Sequence, residues 1–258
     1  FNNYQRGLSA HLEALRLFKE SKEWKKAGKA AEDVATAYKE FDDFVKVAQY
    51  YKESIQLYRQ ASEKLEEAES YWDYAYNVGQ HLLNYDTAIR NYRIAYELYM
   101  QEGDSVHAPV MLSNIGQTYW SKLDFESAIK SHREAIELAK KCNNQEQVAS
   151  SWSKLATLYT ESSNPIAAAE ALNNSVIALV TLNDSTLLSA GYNDLADSYL
   201  KSKDYLKALD YYSRAITIRK AQKDSSNWAL SVYALAGAYQ NKTEYAKAIQ
   251  AYDEALKI

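Results

Sequence analysis

Glycine and proline are scarce in this chain, with seven and two among 258 residues. Strand-rich and loop-rich folds need many turns built from both, so this scarcity excludes them. There is one cysteine, Cys142, which excludes an internal disulfide framework and is compatible with a reducing compartment. Charge of neither sign dominates: 30 Lys and Arg stand against 34 Asp and Glu, a formal net charge of -4. That balance argues against an electrostatic hold on nucleic acid. No apolar run approaches the roughly 18 residues that span a membrane. No signal peptide is visible. The expectations are a cytoplasmic protein, no nucleic-acid partner and no direct insertion into membrane.

Catalytic signatures are also missing. The chain has no Gly-rich phosphate loop, no GxSxG and no HExxH. The four histidines, His11, His81, His107 and His132, do not pair at helical ligand spacing. His132 replaces an aromatic in a packing column and is expected in the core or at its rim. Cys142 follows Lys140 and Lys141 in a polar loop and reads as an unpaired surface thiol. The chain is therefore expected to be non-catalytic, with no metal and no cofactor.

What is present is a 40-residue repeat. Ile115, Leu155, Leu195 and Leu235 form one column. Tyr119, Tyr159, Tyr199 and Tyr239 form a second, and Ala128, Ala168, Ala208 and Ala248 a third. Within each unit apolar residues recur at i, i+3, i+4 and i+7, the helical period. Each unit reads as helix, tight turn, helix. Asp124, Asn164, Asp204 and Glu244 share the turn position, where Asp and Asn cap a helix start. Pro165 follows Asn164, and Pro109 also sits near a helix start, where a missing N–H costs nothing. Small residues at Gly116, Ala156, Ala196 and Ala236 allow close helix approach, with the Tyr column filling the space beside them. Reading backward, the period continues through Trp72 and Tyr85–Ala88–Tyr92–Ala95, with Gly79 at the Tyr position, and then at a spacing of 41 through Val34–Tyr38–Phe44. One leading helix precedes them, at about Tyr4–Glu20.

A fixed period of this kind specifies a solenoid, in which each unit buries its apolar face on its neighbours. The expected fold is all-α, a right-handed superhelix of antiparallel helix pairs with about thirteen helices. Residues 1–258 are read as a single array. Residues 1–31 hold the leading helix and the start of the first pair, 32–107 divergent repeats, and 108–258 four regular repeats. The chain begins at Phe1 rather than Met and ends on the apolar Ile258. The expectation is a fragment of a longer protein, with self-association possible through an uncapped C-terminal end.

The landmarks Tyr192, Leu195–Ala196, Tyr199, Asp204–Tyr205, Ala208, Tyr212 and Ala215 resemble the tetratricopeptide repeat family. The resemblance covers about Glu32 to Ile258. The family's usual unit is shorter and ends in a proline that is absent here. The longer unit resembles the variant found in peptide-sensing regulators, adaptors and sensor arms of signalling proteins. The stretch Ala14–Phe18, Trp24, Ala27–Gly28 and Ala31 is also similar to soluble NSF attachment proteins.

The first resemblance implies a protein-interaction scaffold whose first helices line a concave groove. The residues it would place there are Asp73, Asn77, Gln80, Asn114, Gln117, Trp120, Lys154, Asn193, Asp197 and Tyr233, with Thr157, Glu161, Lys201, Gly237 and Asn241 on the same faces. Amides offer both donor and acceptor to an extended peptide, and Trp120 and Tyr233 would be stacking anchors. The co-chaperone carboxylate clamp is not expected, because its matching positions hold Ser113, Asn114, Gln117, Ser150 and Lys154 rather than a cluster of cations. Three readings of function stay open: a scaffold binding a peptide or partner protein, a ligand-sensing arm of a larger regulator, and an attachment adaptor for a membrane-fusion machine.

Overall fold

The computed structural model describes residues 2–258, with side chains from Gln5 onward. Among the described residues all regular structure is helical, in thirteen helices and no strand. The leading helix is α1 (Asn2–Glu20). Then come α2 (Trp24–Lys39) and α3 (Phe44–Ala61), α4 (Lys64–Gln80) and α5 (Tyr85–Gln101), α6 (His107–Ser121) and α7 (Phe125–Lys141). They continue with α8 (Gln145–Glu161) and α9 (Pro165–Leu182), α10 (Ser185–Lys201) and α11 (Tyr205–Gln222), α12 (Ser225–Asn241) and α13 (Tyr245–Ala255). The chain forms two compact units, residues 1–138 and 139–258.

The turns explain the helix boundaries. A residue with positive φ stands at each junction, at 22, 42, 62, 83, 103, 123, 143, 163, 183, 203, 223 and 243. Only Gly103 among them is glycine. The next residue is Asp, Asn or Glu every time. The Asp and Asn side chains accept from backbone N–H groups of the following helix, as Asp124 does from Ser127 at 3.1 Å and Asn164 from Ala167 at 3.2 Å. Glu23, Glu63 and Glu244 make no such bond. Glu244 shares the turn position, as its place in the column requires, and its carboxylate pairs with Lys242 and Lys247.

In the first unit, Ala27, Ala31, Val34 and Leu57 build one core cluster with Leu15. Val47, Tyr51, Ile55 and Tyr74 build a second, and Ala88, Tyr92, Tyr99, Met111 and Ile115 a third. Ala128 and His132 are fully buried, as the packing column required. His132 lies flat against Gly116: a Cβ added there would stand 2.9 Å from its ring. Glu32 is the anomaly of this unit. Its side chain is only 13% exposed, accepts from Ser70 Oγ at 2.7 Å and from Tyr58 Oη at 3.3 Å, and stands 3.3 Å from Lys29 Nζ. Burial lifts its carboxyl above the usual range, against the opposing pull of Ser70 and Lys29. Lys29 shifts upward as well: its own partial burial opposes the shift, but the attraction of Glu32 prevails. The two shifts disagree about the pair. The Glu32 direction carries more weight, because Lys29 is 66% exposed and solvent weakens its attraction.

In the second unit the cores are the same column type. Leu155, Ala168, Leu195, Ala196, Ala208 and Ala236 are buried to at most 0% exposure, while Tyr159, Tyr199 and Tyr239 are half-buried beside them. α9 corrects the expectation that no segment is apolar enough for a membrane. Its 18 residues, Pro165–Leu182, reach a mean hydropathy of 1.3. Glu170, Asn173 and Asn174 hide this in any search for an unbroken apolar run. Its face of Ala168, Ala171, Leu172, Ser175 and Leu179 is buried within the unit, which accounts for the composition as that of a core helix.

Two outcomes are expected from this packing. Gly116→Ala gains up to about 1 kcal/mol in helix propensity but overpacks the His132 ring at a typical cost of about 1–3 kcal/mol, so thermal denaturation should show a lower Tm. A raised Tm would remove the close-approach role of this column. For Glu32, the folded-state carboxyl titrates above its unfolded value, so the native state holds the proton more tightly. Its favourable contribution is present below the unfolded pKa and is lost as pH rises through the folded one. Glu32→Gln should therefore raise Tm at pH 8 and leave it nearly unchanged near pH 3.5. Equal effects at both pH values would show that burial does not perturb this group.

Candidate functional site

The first unit carries six of the sequence-predicted groove residues. Asp73 on α4 is half-buried. Burial raises its carboxyl above the usual range, while Lys39 and a hydrogen bond with Tyr51 oppose the shift. Asn77 is a correction, being only 1% exposed. Its Nδ2 donates to Asp73 O at 2.7 Å, and its Oδ1 has no partner. Tyr74, Ala75, Val78 and Gly79 around it are also buried, and Tyr76 and Gln80 rather than Asn77 carry the exposed side of this turn of α4. Gln80 is exposed. Asn114, Gln117 and Trp120 are all half-buried on α6 and share one face, as their spacing requires.

The second unit holds the better-formed concavity. Two cavities of about 320 and 270 Å³ adjoin between α8 and α10, and they share Ser153, Leu172 and Asp194. Asn144 and Asp184 fix the starts of these two helices by accepting from Gln147 N at 3.0 Å and Leu187 N at 3.0 Å. α9 supplies the floor: Leu172, Ser175 and Leu179. Ser175 Oγ is spent on Ala149 O at 2.9 Å, which ties α9 to α8. Gly191 is needed where α10 crosses α9, since a Cβ there would stand 2.7 Å from Leu179 Cδ1. The rims carry Glu146, Ser150 and Ser153 from α8 and Asp194, Asp197 and Lys201 from α10.

Of the predicted residues in this unit, Thr157, Asp197 and Lys201 line the second cavity, and Asp197 also accepts a short hydrogen bond from Tyr212 Oη. Lys154 is half-buried outside them, and burial holds its ammonium below the ordinary lysine range. Asn193 is the second correction. It turns toward α12, where its Nδ2 lies 3.1 Å from Ser231 Oγ. The amide orientation that satisfies both neighbours puts Oδ1 toward Arg219, accepting from Nη2 at 3.1 Å. Arg219 is 8% exposed and also donates to Asn227 O at 2.9 Å and Ser231 Oγ. Burial holds its guanidinium below the usual arginine range, with Asp224 and Asp194 opposing from further away. Asn193 is thus part of an internal bolt between α10, α11 and α12. Tyr233 is 60% exposed, with its ring 5.2 Å from that of Tyr252.

Sequence reasoning missed Glu146, Ser150, Ser153 and Asp194. The lining face of α10 runs Leu187, Ala190, Gly191, Asp194, Asp197, Ser198 and Lys201, mixing steps of three and four. The expected face stepped from Asn193 to Asp197 by four, and repeated steps of four drift off a face with 3.6 residues per turn. Alternating steps anchored on Gly191 would have found Asp194.

These geometries match known proteins. The family model of the soluble NSF attachment protein, SNAP, matches residues 5–174, and that of the tetratricopeptide repeat matches residues 187–258. No curated protein sequence matches the chain. Among solved structures, BtubC from P. vanneervenii superposes with a TM-score of 0.65 at 19% identity, covering 85% of this chain and 92% of that one. Aspartyl phosphate phosphatase F from Bacillus subtilis gives 0.65 at 12% identity, covering 93% and 73%. A STAND protein with a tetratricopeptide repeat sensor from Pyrococcus horikoshii gives 0.68 at 19%, covering 98% of this chain but 40% of that one. At such identities the likeness is one of fold. The all-α repeat architecture and the family match over residues 5–174 agree: this chain belongs to the soluble NSF attachment protein family, with tetratricopeptide repeats in its C-terminal part.

Proposed function

We propose that this chain is a non-catalytic interaction scaffold that holds an extended peptide segment of a partner protein in the second unit. The observation that carries this reading is the pair of adjoining cavities between α8 and α10, with an apolar floor and a polar rim. Clefts of that composition are where ligands lodge. From Leu187 to Lys201 the lining extends about 20 Å at 1.5 Å per helical residue. A segment of about six extended residues would fill that length. The hydroxyls and carboxylates along the rim, with Lys201, offer donors and acceptors to a peptide backbone.

A second reading is an attachment adaptor that works through the first unit; it draws on the family match over residues 5–174, which takes in nearly all of that unit and also α8 and part of α9. The sensor-arm reading draws only on the fold shared with the STAND sensor and the aspartyl phosphate phosphatase. Ser153 separates the two main readings, because it lines both cavities and nothing in the first unit. With a partner identified by affinity capture and then purified, Ser153→Trp should weaken its binding at least tenfold while the circular dichroism spectrum and Tm stay as in the parent. Glu170→Gln, on the exposed side of α9, should change neither. Unaltered affinity in folded Ser153→Trp would remove the groove from the function and favour the first unit.

A further inference from the structure

The cavities between α8 and α10 have a chemical preference that the fold alone does not set. Their rims carry three carboxylates, Glu146, Asp194 and Asp197, against one lysine, Lys201. Elsewhere on the protein carboxylates are commonly paired, as Glu13 is with Arg16, Asp86 with Lys122 and Asp210 with Arg214. Among the described residues, no donor or cation is paired with the side chains of Glu146 and Asp194, both of which are exposed on the rim. Asp194 has Asp197 on its own helix as a repelling neighbour and Arg219 on α11 as a distant attracting one. Arg219 is itself buried and occupied by Asn227, Ser231 and Asn193, so it cannot swing out to neutralise the rim. Partial desolvation first, and then the repulsion from Asp197, hold the Asp194 carboxyl above the usual range. A cation placed beside it would relieve both.

A second observation is independent of charge. Ser198 is 7% exposed and lines the second cavity on the same face of α10 as Asp194 and Lys201, where its hydroxyl can meet a ligand. Beneath the carboxylates the floor is aliphatic, formed by Leu172 and Leu179 beside the bare backbone of Gly191. An aliphatic floor under an acidic rim matches a side chain with an apolar stem and a charged head.

We propose that the occupant is an extended peptide segment carrying a lysine or arginine, with its stem over Leu172 and Leu179 and its cation at Asp194 with Glu146 on the opposite rim. The next residues of the segment run past Ser198, which bonds a peptide carbonyl or amide. This rests on the reading of the groove as a peptide site and names the chemistry that site selects.

The test is selection of random decapeptides displayed on phage against the full chain, followed by titration of synthetic winners. Winners are expected to carry Lys or Arg. They should lose at least tenfold in affinity to the isosteric Asp194→Asn and to Ser153→Trp, and bind more weakly as salt rises from 50 to 300 mM. Glu170→Gln should bind as the parent does. Winners blocked by Ser153→Trp but indifferent to Asp194→Asn would keep the groove and overturn the cationic preference. So would acidic or wholly neutral winners. Winners indifferent to both, or no winners at all, would overturn the groove and the preference together. Circular dichroism on each variant separates lost binding from lost structure.

Discussion

Most helices after α1 are launched by one backbone device, and the register of the packing depends on it. A residue in the left-handed conformation ends one helix, and the next residue donates its N–H back across the turn. Asp124 N reaches Tyr119 O at 2.9 Å, Asn164 N reaches Tyr159 O at 2.8 Å, and Asp204 N reaches Tyr199 O at 2.9 Å. This is the six-to-one bond of a Schellman closure. The side chain of that same residue then caps the following helix. Tyrosine column and cap column are therefore two ends of one hydrogen bond, five residues apart. Left-handed backbone costs a non-glycine residue about 1–3 kcal/mol, and nine of the eleven such residues are held by a turn bond from their own N–H and another from the N–H of the next residue.

The device recurs every 20 residues, with a single step of 21 between Ser62 and Leu83. A half-period of 20 makes the turn within a pair and the turn between pairs the same object. It also explains why the repeat read from the N-terminal part has a spacing of 41. The extra residue falls in the stretch that contains Gly79 and the covered Asn77, where α4 departs from the pattern of its successors. Constant turn length fixes where each helix begins. Constant small residues, such as Gly116 against His132 and Gly191 against Leu179, fix how closely the next one approaches. The cavity between α8 and α10 follows from both: two first helices started in register, with a slender α9 surface of alanine, serine and leucine beneath them.

The fold was legible because its determinants are local. Columns at Tyr119, Ala128 and Asp124 announce helix, crossing and turn within ten residues of sequence, and the structure has the thirteen helices that they imply. The site was less legible because it depends on rotation about helix axes. A shift of one residue turns a side chain by about 100°. Choosing Asn193 instead of Asp194 therefore exchanged a rim carboxylate for a member of the Arg219 bolt. Asn77 failed for another reason: polar character predicts exposure only when the backbone around it is open, and there that side of α4 is covered. α9 shows the converse, since three polar residues conceal a helix apolar enough by composition to resemble a membrane span.

Two kinds of unusual charge remain, and their surroundings distinguish structure from function. Arg219 is buried without a carboxylate in contact, but neutral acceptors on α10 and α12 satisfy its guanidinium, and the arrangement joins three helices. A buried charge saturated in this way specifies geometry and leaves nothing for a ligand to do. Glu32 belongs with it, since Ser70, Tyr58 and Lys29 occupy its carboxylate. Asp194 differs, because it stands exposed on the cavity rim, is repelled by Asp197, and no side-chain donor among the described residues engages it. A charge that the protein perturbs but does not satisfy has its complement outside the chain. In a repeat that otherwise reuses the same columns, such residues are where one copy of the fold acquires a preference that the others lack.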